Sequence, residues 1–402
     1  MFGLGMKSVD TSEKKIEELL TRSVNETIQK NTLKELLKSG KRLRVKLGID
    51  PTSSNIHLGR AVLLLKLRDF QELGHTISIV IGNATAVIGD TSDKESERPM
   101  LTEEQVEEYA GTYFKQIERV LDMGAVEKKY NATWLNKLTY KEIGEHADQF
   151  SVSDFIAREN IKKRLDAGTR ISLREVLYPL MQGYDSVEVQ ADVEIGGTDQ
   201  RFNLLAGRKL QEHFGQKPQQ VMMLSIIEGL DGRKMSSSWG NTINITDSPS
   251  DMYGKVMSLR DDFIVPYFIS ATRVAMSEVR QLEKDLQSNT THPRDAKMRL
   301  ASAIVSLYHS SDLALSAQND FTETFSKGGV PADATKIEVQ KGTTLYDAIS
   351  STVGSKTEFR RLIHEGAVMK VGGEKITNTD EVVENDMTVK IGKRRFVAIK
   401  IK

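Results

Sequence analysis

The tightest constraint on this chain is a strand–helix–strand run between residues 43 and 82. "LRVKLGI" (43–49) is an apolar stretch of strand length. "AVLLLKLRDFQELG" (61–74) carries apolar residues at helical spacing and ends on Gly74, and "TISIVIG" (76–82) reads as a second strand. Strand, helix and strand over this distance form a parallel crossover unit, which commits the chain to an α/β fold. Between the first strand and the helix lies "GIDPTSSNIHLGR" (48–60), with one Pro, two Gly and one His. Open parallel sheets bind ligands at the carboxyl ends of their strands. The N-terminus of the next helix adds partial positive charge and free N–H groups, which suit phosphate. Pro51 fixes the turn, Ser53 and Ser54 keep it open, and Gly59 leaves backbone bare for a nucleotide. His57 sits where the helix begins and can donate to a phosphate oxygen. Taken alone, the stretch is equally well an ordinary turn with a solvated histidine.

The rest of the chain extends this frame. Residues 11–38 read as helices, with Ser12 as an N-cap, and 102–150 as further helices of mixed charge. "VEVQADVEIGGTDQ" (187–200) reads as a strand followed by the helix "QRFNLLAGRKLQEHFG", and "VMMLSII" (221–227) as one more strand. Residues 250–325 hold little strand pattern. "SKGGVPADAT" is rich in Gly, Pro and Ala and marks a linker. The expected organisation is an N-terminal helical segment (1–40), an α/β domain with a helical insertion (41–245), a helical domain (246–325), a linker (326–336) and a small α+β module (337–402). With 402 residues, several domains are expected. The 56 basic residues balance the 56 acidic ones, so a polyanionic partner must be met by a local patch. The last module supplies one: Lys336 to Lys402 holds 13 Lys and Arg against 9 Asp and Glu. There is no cysteine, which excludes disulfides, thiolate metal sites and a cysteine nucleophile and fits a cytoplasmic chain. The N-terminus lacks the basic start and apolar core of a signal peptide, and no stretch approaches membrane-spanning length.

A second stretch, "GLDGRKMSSSWGN" (229–241), is a Gly-rich loop with Lys234 and three serines. Together, "HLGR" (57–60) and "KMSSS" (234–238) resemble the "HIGH" and "KMSKS" signatures of class I aminoacyl-tRNA synthetases. Between them, "YPLMQGYDSVEVQADVEIGGTDQRFN" (178–203) resembles the amino-acid pocket of the bacterial tyrosyl branch, and the basic C-terminal module resembles an S4 RNA-binding domain. The resemblance covers essentially the whole chain. It implies a Rossmann-like parallel-sheet catalytic domain, then an α-helical domain, then the S4-like module. It also implies an activity: tyrosine is joined to ATP as tyrosyl-adenylate with release of pyrophosphate, then transferred to the terminal adenosine of tRNA(Tyr). ATP would enter as a substrate with Mg2+ beside it and no protein metal site, and the enzyme would be a homodimer away from membranes.

The resemblance assigns roles residue by residue. Thr52, His57 and Lys234 would hold the departing phosphates, with Lys94 and Arg98 of "GDTSDKESERPML" closing over the pyrophosphate. Gly48, Asp50, Gly59, Gly197, Asp199 and Gln200, with Ser236 and Ser238 of the loop, would form the nucleotide side; Gln200 also borders the tyrosine. Asp90, Tyr178 and Gln182 would bind the tyrosine ammonium group, and Asp185 would accept the phenolic proton. Tyr178, Gln182 and Asp185 share one helical face, which suits a pocket wall and a packed surface alike. Three positions depart from the family pattern. Ser237 stands where the second signature has its second lysine. Arg60 replaces the second histidine of the first signature and can donate to ribose or phosphate with a different reach. Lys46 replaces a common tyrosine; its amine can lean on Asp185, donate to the phenol oxygen or reach water. In the S4-like module, Arg360 and Arg361 fall on one helix and Lys393, Arg394 and Arg395 cluster before the last strand, a pattern for contacts to the tRNA backbone.

Overall fold

The computed structural model describes residues 8–89, 101–326, 334–371, 374–392 and 395–402. The crossover unit forms as the sequence requires. Strand β2 (Arg44–Ile49) leads through the helix Leu58–Glu72 to β3 (Thr76–Ile81), and the two strands pair in parallel from Arg44 with Thr76 to Ile49 with Ile81. They belong to a six-stranded sheet completed by β1 (Val24–Ile28), β4 (Val126–Tyr130), β5 (Val193–Gly197) and β6 (Gln220–Leu224), in the order β1-β6-β5-β2-β3-β4. Every neighbouring pair is parallel except β1 with β6. Helix Arg201–His213 carries β5 over to β6. Strand order runs outward in one direction through β3 and β4 and in the other through β5 and β6. The reversal therefore falls between β2 and β5, and that is where such a sheet opens a crevice for ligand. Val45, Leu47, Ile77, Ile79, Val193, Ile195 and the apolar residues of β6 are all buried, as expected for central strands covered on both faces.

Three segments differ from the sequence expectation. Residues 1–40 are not wholly helical: β1 lies between the helices Glu13–Thr21 and Lys30–Lys38 and closes one edge of the sheet. The mixed-charge stretch 102–150 contains β4 on the opposite edge. Val187–Val189 end the helix Leu173–Val189 instead of starting a strand. That helix begins with a capping box, Ser172 with Glu175, and stops where Gln190 turns left-handed at φ 53°.

The chain divides into two compact units, Met1–Thr246 with Val265–Lys284 and Asp247–Ile264 with Asp285–Lys402. The helical domain expected over 246–325 is thus shared between them. The second unit contains the helices Pro249–Met257, Pro293–Tyr308 and Ser311–Ser326 and a four-stranded sheet. That sheet has β7 (Thr335–Val339), β8 (Val368–Lys370), β9 (Met387–Ile391) and β10 (Arg395–Ile401), in the order β7-β10-β9-β8. β7 begins inside the expected linker and pairs in parallel with β10. The helices Leu345–Val353 and Lys356–His364 contribute Leu345, Ile349 and Phe359 to a core shared with Val389, Ile391, Val397 and Ile399.

Candidate active site

The carboxyl end of β2 is locked in place by a short polar chain. Asp50 accepts from the Thr85 hydroxyl at 2.8 Å and from the Tyr178 hydroxyl at 2.9 Å. A side chain on Gly82, at the end of β3, would fall on the Asp50–Thr85 pair, so glycine is required there. Arg60 reaches back over the turn, donating to Thr52 Oγ1 at 2.9 Å and to the Tyr113 hydroxyl at 2.7 Å. Its guanidinium therefore orients Thr52, a role beyond the ribose or phosphate contact expected from the sequence.

His57 occupies the N-cap position of the helix Leu58–Glu72. The imidazole is buried, and its Nδ1 has no hydrogen-bond partner among the described residues. Burial lowers its pKa to about 3, helped by the positive charges of Arg60 and Lys234, so the ring is neutral at physiological pH. A Cβ on Gly59 would stand 3.1 Å from His57 Nδ1 and 3.2 Å from Cε1. Glycine here makes room for the ring, whereas the sequence reading assigns that space to the nucleotide. At Gly48 a Cβ would meet open space, so this backbone does face the cavity bare.

The loop 229–241 converges on the same helix terminus. The Gly59 N–H points to Met235 Sδ at 3.3 Å, and the hydroxyls of Ser53 and Ser237 lie 3.4 Å apart. Lys234 is ion-paired with Asp199, just past β5, at 2.7 Å. Asn241 ties the loop together: its amide accepts from Ser236 N–H at 2.8 Å and donates to Asp231 at 2.7 Å and to the Lys234 carbonyl at 3.1 Å. The hydroxyls of Ser236 and Ser238 are 2.9 Å apart. A side chain on Gly229 would collide with Asn241, and one on Gly197 with Asp199.

The other end of the cavity is built by the helix Leu173–Val189. Its start is anchored by a buried ion pair, Arg164 with Glu175 at 2.6 Å. Buried Asp185 accepts from the Trp134 indole N–H at 2.8 Å and from the Asn131 amide at 3.2 Å. Burial pushes its pKa up to about 7, against the opposing pull of Lys46 and these two donors. Lys46 corrects the sequence reading: its ammonium goes to none of the three expected places. It is wholly buried and donates to Glu194 at 3.0 Å, Ser186 Oγ at 2.7 Å and the main-chain carbonyl of Gln182 at 2.9 Å. Gln182 lines the cavity while its amide N–H donates to Glu194 at 3.1 Å.

A cavity of about 610 Å³ joins these parts. Its lining includes Gly48, Asp50, Thr52, His57, Gly59, Arg60, Tyr178, Gln182, Asp185, Gly197, Asp199, Gln200, Lys234, Ser236 and Ser238. Lys46 is not in that lining. Asp90, Lys94, Arg98, Lys393 and Arg394 lie outside the described residues. In the second unit, Arg360 and Arg361 are exposed on one helix, but Arg361 is already paired with Glu358 at 2.7 Å and Glu365 at 2.6 Å. Arg395 donates to the Thr352 carbonyl at 2.6 Å. Sequence reading missed Thr85, Tyr113, Asn131, Trp134, Ser186 and Glu194, none of which stands in either signature. Among the described residues no group of His, Asp and Glu is arranged to hold a metal ion, and no helix is long and apolar enough to cross a membrane.

Comparison with known proteins identifies the family. The family of class I tRNA synthetases for tryptophan and tyrosine matches residues 37–326. A tyrosine–tRNA ligase of Moorella thermoacetica is 44% identical over 391 residues, covering 95% of this chain and 94% of its own. One from Thermotoga maritima is 41% identical over 394 residues, covering 97% and 98%. Among solved structures, the tyrosyl-tRNA synthetase of Archaeoglobus fulgidus complexed with L-tyrosine shares the fold with a TM-score of 0.61 at 23% identity, over 75% of this chain and 99% of that one. A C-terminally truncated mitochondrial tyrosyl-tRNA synthetase of Coccidioides posadasii gives a TM-score of 0.62 at 23% identity, over 76% and 91%.

Proposed function

This chain belongs to the class I tRNA synthetases for tryptophan and tyrosine, and from that premise we propose that it is a tyrosine–tRNA ligase. One observation carries the reading. The His57 segment and the Lys234 loop meet over a single cavity whose far end presents a buried carboxylate, Asp185, beside two polar donors. One end suits a triphosphate and the other a hydroxylated ring.

In the first step a tyrosine carboxylate oxygen attacks the α-phosphorus of ATP and the bond to pyrophosphate breaks. No covalent enzyme intermediate is needed, so the protein's work is positioning and charge stabilisation. His57, neutral at physiological pH, donates one N–H to the phosphate chain, and Thr52, held by Arg60, adds a hydroxyl. Lys234 leaves Asp199 for the phosphates while Asp199 turns to the ribose, so ATP exchanges one internal ion pair for two contacts of its own. Gln200, Ser236 and Ser238 complete the nucleotide side. The bare backbone at Gly48 and the unpartnered His57 Nδ1 fit such a ligand. Lys94 and Arg98 close over the pyrophosphate, and Mg2+ arrives with the ATP. Asp185 accepts the phenol proton, while Gln182, with Asp90 and Tyr178, receives the ammonium group. A site built to bond a hydroxyl rejects phenylalanine, because its buried polar groups would be left unpaired; tyrosyl-tRNA synthetase is the standard example of this principle.

The second step needs tRNA(Tyr), and the S4-like module with Arg360, Arg361, Lys393, Arg394 and Arg395 would contact its backbone. A homodimer is supported by large apolar residues left exposed between 140 and 173, such as Tyr140, Val152 and Leu173. The protein would work in the cytoplasm, where its substrates are. ATP–pyrophosphate exchange measured with tyrosine, phenylalanine and tryptophan side by side tests the reading. Exchange with tyrosine well above the other two is expected; none with tyrosine, or more with tryptophan, overturns it.

A further inference from the structure

We infer that Glu194, neutralised by Lys46, is the positioning residue that fixes the amide of Gln182 with its carbonyl oxygen toward the amino-acid ammonium group. The inference rests on the tyrosine-binding role proposed for Gln182 above. Lys46 and Glu194 are cross-strand partners in the β2–β5 pairing, and both are fully buried. A buried charge is tolerable when its partner and its remaining hydrogen-bonding sites are all supplied. Here they are. The Lys46 ammonium uses its three donors on Glu194, Ser186 Oγ and the main-chain carbonyl of Gln182. The Glu194 carboxylate accepts from Lys46, Gln182 Nε2, Ser186 Oγ at 3.0 Å and Gln219 Nε2.

An ionised carboxylate can only accept. It therefore forces the nitrogen of the Gln182 amide toward itself and leaves the oxygen as the atom offered to the cavity that Gln182 lines. An ammonium group, which only donates, needs that oxygen. The surrounding packing is committed to the same arrangement. On the helix Arg201–His213, a side chain at Gly207 would collide with Gln219 Nε2 and Ser186 Oγ. Lys46 and Glu194 touch no substrate; they act through Gln182.

Tyrosine-dependent and ATP-dependent exchange kinetics test the assignment in the full-length protein, with thermal melting beside them. Parental exchange with tyrosine must be present first, since its absence defeats the functional reading and not this one. Lys46→Met with Glu194→Leu removes the charges together and deletes the acceptor. It is expected to raise the tyrosine KM about tenfold while the ATP KM stays within about twofold. In a Gln182→Ala background the same two changes should add less than about twofold, because the pathway through Gln182 is already gone. Glu194→Gln alone, with Lys46 still holding the oxygen in place, should keep a near-parental tyrosine KM. Lys46→Met with Glu194→Gln keeps the volume but leaves the amide orientation unfixed, and should raise the tyrosine KM about threefold even if the leucine variant does not fold. An unchanged tyrosine KM in both double variants, an equal rise in the two KM values, or full additivity with Gln182→Ala overturns the assignment.

Discussion

Replacing Asp185 by asparagine should make the protein's stability less sensitive to alkaline pH, and the size of the effect follows from the carboxyl's surroundings. Burial pushes this group from its ordinary value of 3.8 to about 7. Below pH 3.8 the carboxyl is neutral in both the folded and the unfolded chain and costs nothing. Between 3.8 and 7 the unfolded chain releases its proton while the folded chain keeps it, so stability falls as pH rises, and above 7 the loss levels off. At about 1.4 kcal/mol per pH unit, the loss is about 2 kcal/mol at pH 5 and about 4 kcal/mol at pH 8. An uncharged amide at this position would escape it. The substitution also turns an acceptor facing Asn131 into a donor, at a cost of about 1 kcal/mol, but that cost is the same at both pH values and cancels in the comparison. The remaining ionisable groups are common to both proteins. The stability of D185N relative to the parent should therefore be about 2–3 kcal/mol more favourable at pH 8 than at pH 5. In a unit of this size that is a relative gain of roughly 5–10 °C in melting temperature. Thermal melts of both proteins at the two pH values measure it directly. A difference in melting temperature that does not change with pH would mean that the folded carboxyl is ionised throughout, and that its donors outweigh its burial.

Three further outcomes follow from the nucleotide end of the site and from the C-terminal module. Gly59→Ala places a methyl 3.1 Å from His57 Nδ1 and 3.5 Å from Met235 Cβ; the crowding costs about 1–3 kcal/mol, partly offset by up to about 1 kcal/mol of helix propensity, so melting should drop by several degrees at most while exchange falls about tenfold or more. An unaltered exchange rate would show that the ring position is not critical. Lys234→Ala should slow tyrosine activation by roughly a hundredfold with little change in tyrosine KM; a parental single-turnover rate would remove the loop from the chemistry. Ending the chain at Ser326, ahead of β7, should spare pyrophosphate exchange and abolish most tRNA charging, and equal losses in the two assays would make the C-terminal module a support for the fold instead.

The parts of this protein that are legible in its sequence are those where local pattern and tertiary environment agree. β2, the helix after it and β3 pack into the core, so each carries enough apolar residues at strand or helix spacing, over the right length, to be read from the sequence. The edges do not. β1 is "VNETI" and β4 is "VEKKY", and a strand with one solvated side carries too few apolar residues to stand out among flanking helices. The alternation in "VEVQADVEI" argues for a strand from residue 187. A helix already capped at Ser172 and anchored through Glu175 runs on until the left-handed turn at Gln190, so tertiary packing overrides local propensity. Among site residues, those in contiguous signatures can be named. Trp134 and Asn131 cannot, because they reach Asp185 from an element some fifty residues away and nothing beside them in the chain announces it.

Lys46 and Glu194 are the instructive failure, because a signal for them does exist. Lys46 lies inside "RVKLGI", whose other charge, Arg44, stands at the strand's start, and Glu194 is the one charge in "VEIGG". A strand buried on both faces can hold a charge only if a neighbouring element supplies its counterion. One unpaired lysine and one unpaired glutamate in two such strands therefore predict each other as neighbours. That rule places β2 beside β5, and with it the point where the strand order reverses and the cavity opens. A lone charge in a central strand thus carries information about topology.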